Sequence, residues 1–191
     1  MKTKVKTYHE MFTGLLSGIN FDELSKAATL VSKTCLADKQ ILTAGNGGSA
    51  ALAIHFAAEF GKNVLGNNDK QPRVLSLCCS STVITALGND CGYDNIFSYQ
   101  LRSLLNSGDL VILISPSGHS PNIIKAAEFA KSMGAAILGM TGFNGGRLKE
   151  LADITLHVPC NVNELIGDVH SFFCHAIIYA CNRKTNEKLN M

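Results

Sequence analysis

The chain has 191 residues with 17 basic and 15 acidic side chains, a length that suits one compact domain rather than two. Its net charge of +2 comes from basic residues spread along the sequence, which excludes a concentrated nucleic-acid-binding patch. No apolar run of membrane-spanning or signal-peptide length occurs, and seven cysteines without CxxC spacing disfavour a disulfide framework or a thiolate zinc site. We therefore expect a soluble protein of the reducing cytoplasm, with neither a nucleic-acid nor a membrane partner.

Two helices are predicted at the N-terminus, over residues 6–17 and 21–37, with the break "GIN" between them. In the second helix, apolar side chains recur near the helical period. They are Phe21, Leu24, Ala27, Ala28, Leu30 and Val31. We assign residues 1–38 to a helical segment that packs on the main domain or on another subunit.

Five short apolar runs follow and alternate with helical segments. The runs are "QILTAG", "RVLSLCC", "LVILISP", "AAILGMTG" and "ITLHVP", and helices are predicted over 48–61, 81–88, 94–105, 121–133, 146–152 and 163–183. Such runs are typical of parallel strands that are buried on both faces. The sequence therefore predicts an α/β domain over 39–185, with a five-stranded parallel sheet flanked by helices on both faces. Residues 66–73 are interpreted as a loop and 186–191 as a frayed tail.

Small polar residues follow the first four predicted strands, in the segments "GNGGS", "CCSST", "SPSGHS" and "TGFNGG". In an open parallel sheet, ligands bind outside the carboxyl ends of the strands. Glycines allow close approach of the backbone, and a following helix directs its free N–H groups at an anion. The loops indicate a phosphate site, although a purely structural role for the glycine turn remains open. Neither a GxGxxG nor a GK[ST] pattern is present, which disfavours a nucleotide.

The segment "SPSGHSPN" contains three serines with different expected roles. Ser120 and Pro121 are typical of the first positions of a helix, so we predict that Ser120 caps the helix that follows. Ser115 and Ser117 have no such role, and their hydroxyl groups remain available to a ligand.

His55 and Glu59 are four residues apart in the predicted helix after the glycine turn, so they share one helical face. The pair could ligate a metal or act as a general base with a partner. The alternative is a surface contact worth only a few tenths of a kcal/mol. His170 and His175 lie in the last predicted helix, and periodicity does not decide which of them reaches a site.

Four motifs together resemble the sugar isomerase (SIS) domain and, within it, the phosphoheptose isomerases. They are "GNGGSAALAIHFAAEF", "GNDCGYDNIFSYQL", "LISPSGHSPNIIKA" and "MTGFNGG", and the resemblance covers about residues 40–180. It implies a single SIS domain that converts sedoheptulose 7-phosphate into D-glycero-D-manno-heptose 7-phosphate through an enediol. It also implies a homotetramer with active sites at subunit interfaces, often with zinc, that supplies heptose for bacterial lipopolysaccharide or capsule.

The resemblance also implies roles for individual residues. Substrate contacts fall on Asn46, Gly47, Gly48, Ser49, Asn89, Asp90, Ser115, Ser117 and Ser120. Metal ligands fall on His55, Glu59 and His175, with Glu59 also the expected base and His175 the expected acid. A carboxylate that moves a proton between two carbons, with an acid or metal that polarises the oxygen, suits an aldose–ketose isomerisation.

One departure from the family pattern concerns the metal. The glutamine usually found eight residues before the last histidine, a metal and substrate ligand, is Gly167 here. A zinc site would then have at most three protein ligands. Asp168 is adjacent, but neighbouring helical positions point about 100° apart.

Other departures lie around the expected substrate. The usual threonine of the phosphate loop is Pro116, an asparagine is His119, an aspartate is Glu164, and the arginine after the catalytic glutamate is Asn63 beside Lys62. Either the substrate differs or the chemistry is weaker. The second hypothesis is therefore a non-catalytic SIS-domain protein that senses a sugar phosphate or binds a partner, as the replication-initiator-binding relatives do.

Overall fold

The computed structural model describes residues 1–64, 66 and 69–182, which form one α/β domain. The helices are α1 (Lys2–Ser17), α2 (Phe21–Leu36), α3 (Gly48–Asn63), α4 (Ser81–Asp90), α5 (Ile96–Leu104), α6 (Pro121–Ser132), α7 (Gly146–Leu151) and α8 (Asn163–Cys181). The strands are β1 (Ile41–Gly45), β2 (Val74–Ser76), β3 (Leu110–Ser115), β4 (Ala136–Thr141) and β5 (Ile154–His157). The predicted α/β class with five parallel strands in one sheet is confirmed.

The sheet has the strand order β2-β1-β3-β4-β5. The chain leaves β1 toward one edge, forms β2, and returns to the other side of β1 as β3. Connections from β1 and β3 therefore diverge, and a crevice opens between them at the carboxyl ends of these strands. Every residue of β1 and β3 is buried, as continuous apolar runs predict for the centre of a parallel sheet.

The N-terminal helices differ in how they pack. Helix α2 begins at Asn20, whose side chain accepts hydrogen bonds from two backbone N–H groups of the first turn, and it packs against α8. Helix α1 buries no residue. It is joined to α8 by the Tyr8 hydroxyl, which donates to Asp168 at 2.6 Å, and this hydrogen bond raises the pKa of Tyr8 to about 12. The division of the chain at residues 38 and 39 stays a prediction.

Some element boundaries differ from those predicted. Helix α1 begins at residue 2 rather than 6, and the predicted helix 94–105 begins as a 3-10 turn (Tyr93–Asn95) that follows Gly92 at a φ of 82°. Strand β2 has three residues, because the chain turns after Ser76 and Ser80 then caps α4.

Parts of three predictions lie outside the described residues. They are residue 183 at the end of the last helix, positions 67 and 68 of the predicted loop, and the tail 186–191. Within the described residues, no helix is long and apolar enough to cross a membrane.

Candidate active site

A pocket of about 150 Å³ lies in the crevice between β1 and β3. Its lining residues are Asn46, Ser49, Ile114, Ser115, Pro116, Ser117, Ser120 and Asn163. The structure thus brings together five of the residues predicted to bind substrate, from the loops after β1 and β3. Asn163, at the start of α8, was not among the predicted residues.

The glycine turn after β1 has a tight geometry. Gly47 has a φ of 54°, a left-handed conformation that favours glycine, and it occupies the N-cap position of α3. A Cβ on Gly45 would lie 2.6 Å from the backbone of Ser49, so only glycine allows this approach. The two glycines therefore fold the first turn of α3 back over the end of β1.

Asn46 is held by a network of hydrogen bonds at the floor of the crevice. Its Nδ2 donates to Oδ1 of Asn122 at 2.9 Å, and Nδ2 of Asn122 donates back to Oδ1 of Asn46 at 2.8 Å. The Tyr93 hydroxyl donates to the same Oδ1 at 3.1 Å. The Asn122 side chain is buried, and it was not among the predicted residues. The one sequence signal for it is its position directly after Pro121, the proline that starts a helix.

The serines after β3 form hydrogen bonds within their own loop. Ser115 Oγ donates to Ser120 Oγ at 3.4 Å, and Ser117 Oγ accepts from the backbone N–H of His119 at 3.2 Å. Ser120 occupies the N-cap position of α6 as predicted, but its hydroxyl caps no backbone N–H group. The expected capping hydrogen bond was wrong, because the hydroxyl is turned into the pocket toward Ser115.

The serine loop rests directly on the loop after β4. Gly118 has a φ of 64°, and a Cβ there would lie 2.0 Å from the carbonyl oxygen of Gly145. The backbone N–H of Leu148 donates to the Gly118 carbonyl at 2.9 Å, and that of Gly142 donates to the Pro116 carbonyl at 2.7 Å. Backbone packing therefore fixes the position of the hydroxyl groups.

Three helices begin at the pocket without a side-chain cap. The N-cap residues of α3, α6 and α8 are Gly47, Ser120 and Val162, and none of their side chains accepts a hydrogen bond from the first turn. Of the other helices, α2 and α4 are capped by Asn20 and Ser80, whereas α1, α5 and α7 also lack a side-chain cap. Free N–H groups and the positive ends of three helix dipoles therefore face the crevice, which suits a phosphate group.

His55 on α3 meets His175 on α8 at the surface. Their Nε2 atoms are 2.9 Å apart and their rings are nearly perpendicular. A hydrogen bond between two imidazoles requires that one ring donates and the other accepts. The expected pair of histidines is therefore brought together, and both side chains are exposed.

Glu59 lies one turn beyond His55 on α3 and is held by its own helix. Lys62 Nζ is 2.9 Å from Oε1, and Asn63 Nδ2 donates to Oε2 at 2.7 Å. The hydrogen bond from Lys62, supported by that from Asn63, lowers the pKa of Glu59. The carboxylate is therefore ionised and able to accept a proton.

Comparison with known proteins identifies the fold and the family. The sequence profile of the SIS domain matches residues 7–142. The chain belongs to the SIS domain family. It is 41% identical over 156 residues to the phosphoheptose isomerase of Aliarcobacter butzleri, which covers 82% of each chain. It is 37% identical over 180 residues to that of Campylobacter concisus, which covers 94% of each chain.

A solved SIS-domain structure is also similar. The phosphoheptose isomerase of Neisseria gonorrhoeae matches with a TM-score of 0.86 at 31% identity, over 93% of this chain and 96% of that one. The resemblance that was expected from the four sequence motifs is confirmed. Within the SIS domain family, the chain belongs with the phosphoheptose isomerases.

The residues that depart from the SIS-domain pattern occupy different positions relative to the site. Asn63, in place of the usual arginine, hydrogen-bonds Glu59. Pro116 lines the pocket, and His119 is exposed beside it. Gly167 is exposed, and a Cβ there would meet no heavy atom within 4 Å. The space that the usual glutamine would enter is therefore open in this chain.

Zinc is the metal that the family resemblance implies, and two of its expected ligands fit. Two imidazole nitrogens that share a tetrahedral zinc at about 2.1 Å lie about 3.4 Å apart, near the 2.9 Å between His55 and His175. The carboxylate of Glu59, however, is engaged by Lys62 and Asn63. In the described part of the chain, no group of three His, Cys, Asp or Glu side chains could hold a metal. A third ligand therefore requires Glu59 to exchange its partners.

Two sets of candidate residues lie away from this SIS-domain pocket. Asn89 and Asp90 end α4, where Asn89 Nδ2 donates to Asp90 Oδ1 at 2.7 Å, and neither lines the pocket. His170 is buried and hydrogen-bonds the Thr141 carbonyl oxygen at 3.1 Å through Nε2. Burial lowers its pKa to about 4, so it is a neutral core residue rather than a partner of His55.

Proposed function

We propose that the protein is an isomerase of sedoheptulose 7-phosphate, which it converts into D-glycero-D-manno-heptose 7-phosphate through an enediol. The observation that carries the proposal is the arrangement along α3. Ser49 lines the pocket that suits a phosphate. His55, which contacts His175, lies six residues further on, about 9 Å along the helix. Six residues turn the helix through about 600°, so Ser49 and His55 point about 120° apart, and a phosphorylated sugar bound by its phosphate must run around α3 as well as along it to bring its carbonyl end to this pair.

The pocket suits the phosphate group. The described residues that line it offer hydroxyl and amide groups but no carboxylate, and three uncapped helices begin there. Binding energy from a non-reacting phosphate positions the carbons that react. The relatives named phosphoheptose isomerase support a phosphorylated seven-carbon sugar as the substrate.

Glu59 and His175 would carry the proton transfers. The ionised carboxylate of Glu59 removes a proton from C1 of the ketose and returns it to C2 of the enediol. His175 gives a proton to the oxygen on C2 as the enediol forms, and it takes a proton back from the oxygen on C1 as the aldehyde forms. Its contact with His55 fixes the orientation of the imidazole.

We further propose that zinc binds at His55 and His175, with Glu59 as a third ligand. When bound, the metal would polarise the substrate oxygen atoms. In its absence, the chain's own residues still bind the phosphate and orient the sugar. The support for zinc is the donor pair on α3 and α8.

The assembly and the setting are proposals of the same kind. We propose a cytoplasmic homotetramer with active sites at subunit interfaces, which supplies heptose for lipopolysaccharide or capsule. Exposed apolar side chains on the two N-terminal helices support assembly: Val5 on α1 and Phe21 on α2 are each 64% exposed. A groove of about 500 Å³ also lies between α2 and α8.

The direct test is to incubate the protein with sedoheptulose 7-phosphate, with and without zinc, and to follow aldose formation by NMR. Glu59→Gln removes the base while it keeps the shape, and turnover should fall about 100-fold or more. Glu128→Gln, at an exposed position of α6, should retain full activity. No turnover by the unmodified protein, with or without zinc, would overturn the proposal.

Gly167 favours a second candidate function, that of a non-catalytic sugar-phosphate sensor or partner-binding module, because the usual ligand side chain is missing there. The retention of His55, Glu59 and His175 opposes this alternative. If affinity capture recovers only copies of this chain, the partner-binding form is excluded.

A further inference from the structure

Asn163 reaches the pocket from a different part of the fold than the other polar lining residues. Those residues follow β1 or β3, whereas Asn163 is the first residue of α8, which follows β5. Helix α8 begins there without a side-chain cap. The pocket is therefore closed on one side by a segment that no phosphate-binding motif of the sequence includes.

The amide of Asn163 is free to bind a ligand. In the described part of the chain its side chain has no hydrogen-bond partner, and the residue is exposed. Among the described lining residues, the Ser49 hydroxyl is likewise without a side-chain partner, whereas Asn46 is held by Asn122 and Tyr93, and the serines after β3 bond within their own loop. Asn163 can thus change its orientation to suit a ligand at little cost.

The chemistry of the pocket indicates which part of a ligand Asn163 contacts. The described lining residues carry no charge, and a volume of about 150 Å³ suits a phosphate rather than a whole sugar phosphate. Asn163 precedes His175 by twelve residues, about 18 Å along α8, so it lies far from the carbons that react. An amide N–H can donate to a phosphate oxygen, and its carbonyl can accept from a sugar hydroxyl.

We infer that Asn163 binds the phosphate-bearing end of the substrate and contributes to selection for a phosphorylated sugar. The inference rests on the proposed function, because it names a further residue of the same site. Asn163 contacts a part of the substrate that does not react, so we expect the contact to be equally strong in the ground state and in the transition state, and its loss to raise the Kd much more than it lowers kcat.

Two variants of the full-length protein test the inference by calorimetric titration with sedoheptulose 7-phosphate. Asn163→Ala removes the amide, and the Kd should rise about tenfold or more. Asn163→Asp keeps the shape but places a negative charge against the phosphate, so the Kd should rise further, while kcat at saturation stays near that of the unmodified protein. Asn161→Asp is the matched control, since Asn161 is exposed two residues earlier and does not line the pocket.

The outcomes separate this inference from the isomerase proposal. If Asn163→Asp binds the sugar phosphate as tightly as the unmodified protein, the inference is overturned and the isomerase proposal stands. If the unmodified protein binds without turnover and Asn163→Asp loses binding, the inference stands and the isomerase proposal fails. If the unmodified protein binds no sugar phosphate, or if Asn161→Asp weakens binding equally, the inference is also overturned.

Discussion

Asn46 and Asn122 exchange two hydrogen bonds across the crevice, at 2.9 and 2.8 Å, and so join the loop after β1 to the first turn of α6. Because the two segments belong to different β–α units, this amide pair sets the width of the crevice. A reciprocal amide pair also satisfies the polar atoms of the buried Asn122 side chain.

Asn122→Ala should lower the free energy of unfolding by about 1–3 kcal/mol, because it leaves the amide of Asn46 without its partner. The KM for the sugar phosphate should rise as well, since Asn46 lines the pocket. Tyr93→Phe removes only the exposed third hydrogen bond and serves as the control. An unchanged KM in Asn122→Ala, measured beside urea unfolding, would contradict this role.

Lys62→Met should shift the acid limb of the kcat/KM profile to higher pH. The hydrogen bond from Lys62 lowers the pKa of Glu59, so its loss raises that pKa toward the ordinary value. The base is then protonated, and inactive, at a higher pH than in the unmodified protein.

The matched control for this profile is Lys26→Met, because Lys26 makes the same type of contact with Glu23 on α2, at 2.7 Å. It should leave the profile unchanged. An acid limb that does not move in Lys62→Met would show that Glu59 is not the group that titrates.

His170 should make stability fall in acid. Its folded pKa is about 4 and its ordinary value is 6.5, so between these values the unfolded chain binds a proton that the folded chain does not. The free energy of unfolding is therefore insensitive to this group above pH 6.5, falls by up to about 1.4 kcal/mol per pH unit between pH 6.5 and about 4, and stops falling on its account below that.

Urea unfolding of His170→Gln at several pH values tests this, because glutamine can still donate to the Thr141 carbonyl oxygen but does not titrate. In this variant the free energy of unfolding should depend less steeply on pH. Some dependence should remain, because burial also lowers the pKa of His157. His9→Gln, at an exposed position of α1, should retain the slope of the unmodified protein. A steep slope that persists in His170→Gln would assign it to another group.

Gly167→Gln should increase the zinc bound per chain, measured by atomic absorption after dialysis. The new side chain enters open space, because a Cβ at this position meets no heavy atom within 4 Å. Gly167→Ala separates the effects: both variants should gain roughly 0.5 kcal/mol or more of helix stability, but only the glutamine supplies a ligand. Equal zinc content in the two variants would argue against a metal at His55 and His175.

The strands could be predicted well from the sequence, and their order could not. Continuous apolar runs marked β1 and β3 because a central parallel strand is buried on both faces. The order of strands depends on which face each helix covers, and periodicity within one element carries no such information. The length of β2 was overestimated because an apolar run shows burial but not strand structure. Leu77 and Cys78 are buried in a turn rather than in the sheet.

The site could be predicted where its residues follow a strand or share a helix. Asn46 directly follows β1, Ser49 lies in the helical turn after it and Ser115 ends β3, and the carboxyl ends of parallel strands meet at one edge. Asn163 and Asn122 were missed, because each reaches the crevice only through packing between distant segments. The capping role assigned to Ser120 failed because its hydroxyl meets Ser115 instead, a tertiary contact that local sequence does not reveal.

The three uncapped helices at the crevice have a consequence for folding as well as for binding. A phosphate that accepts hydrogen bonds from the first turns of α3, α6 and α8 supplies what Asn20 and Ser80 supply to α2 and α4. The ligand then completes secondary structure that the chain leaves unfinished. Because only the folded state offers these ends together, a sugar phosphate should raise the melting temperature in proportion to the logarithm of its concentration. Bound substrate would therefore satisfy backbone N–H groups that the side chains of this protein leave uncapped.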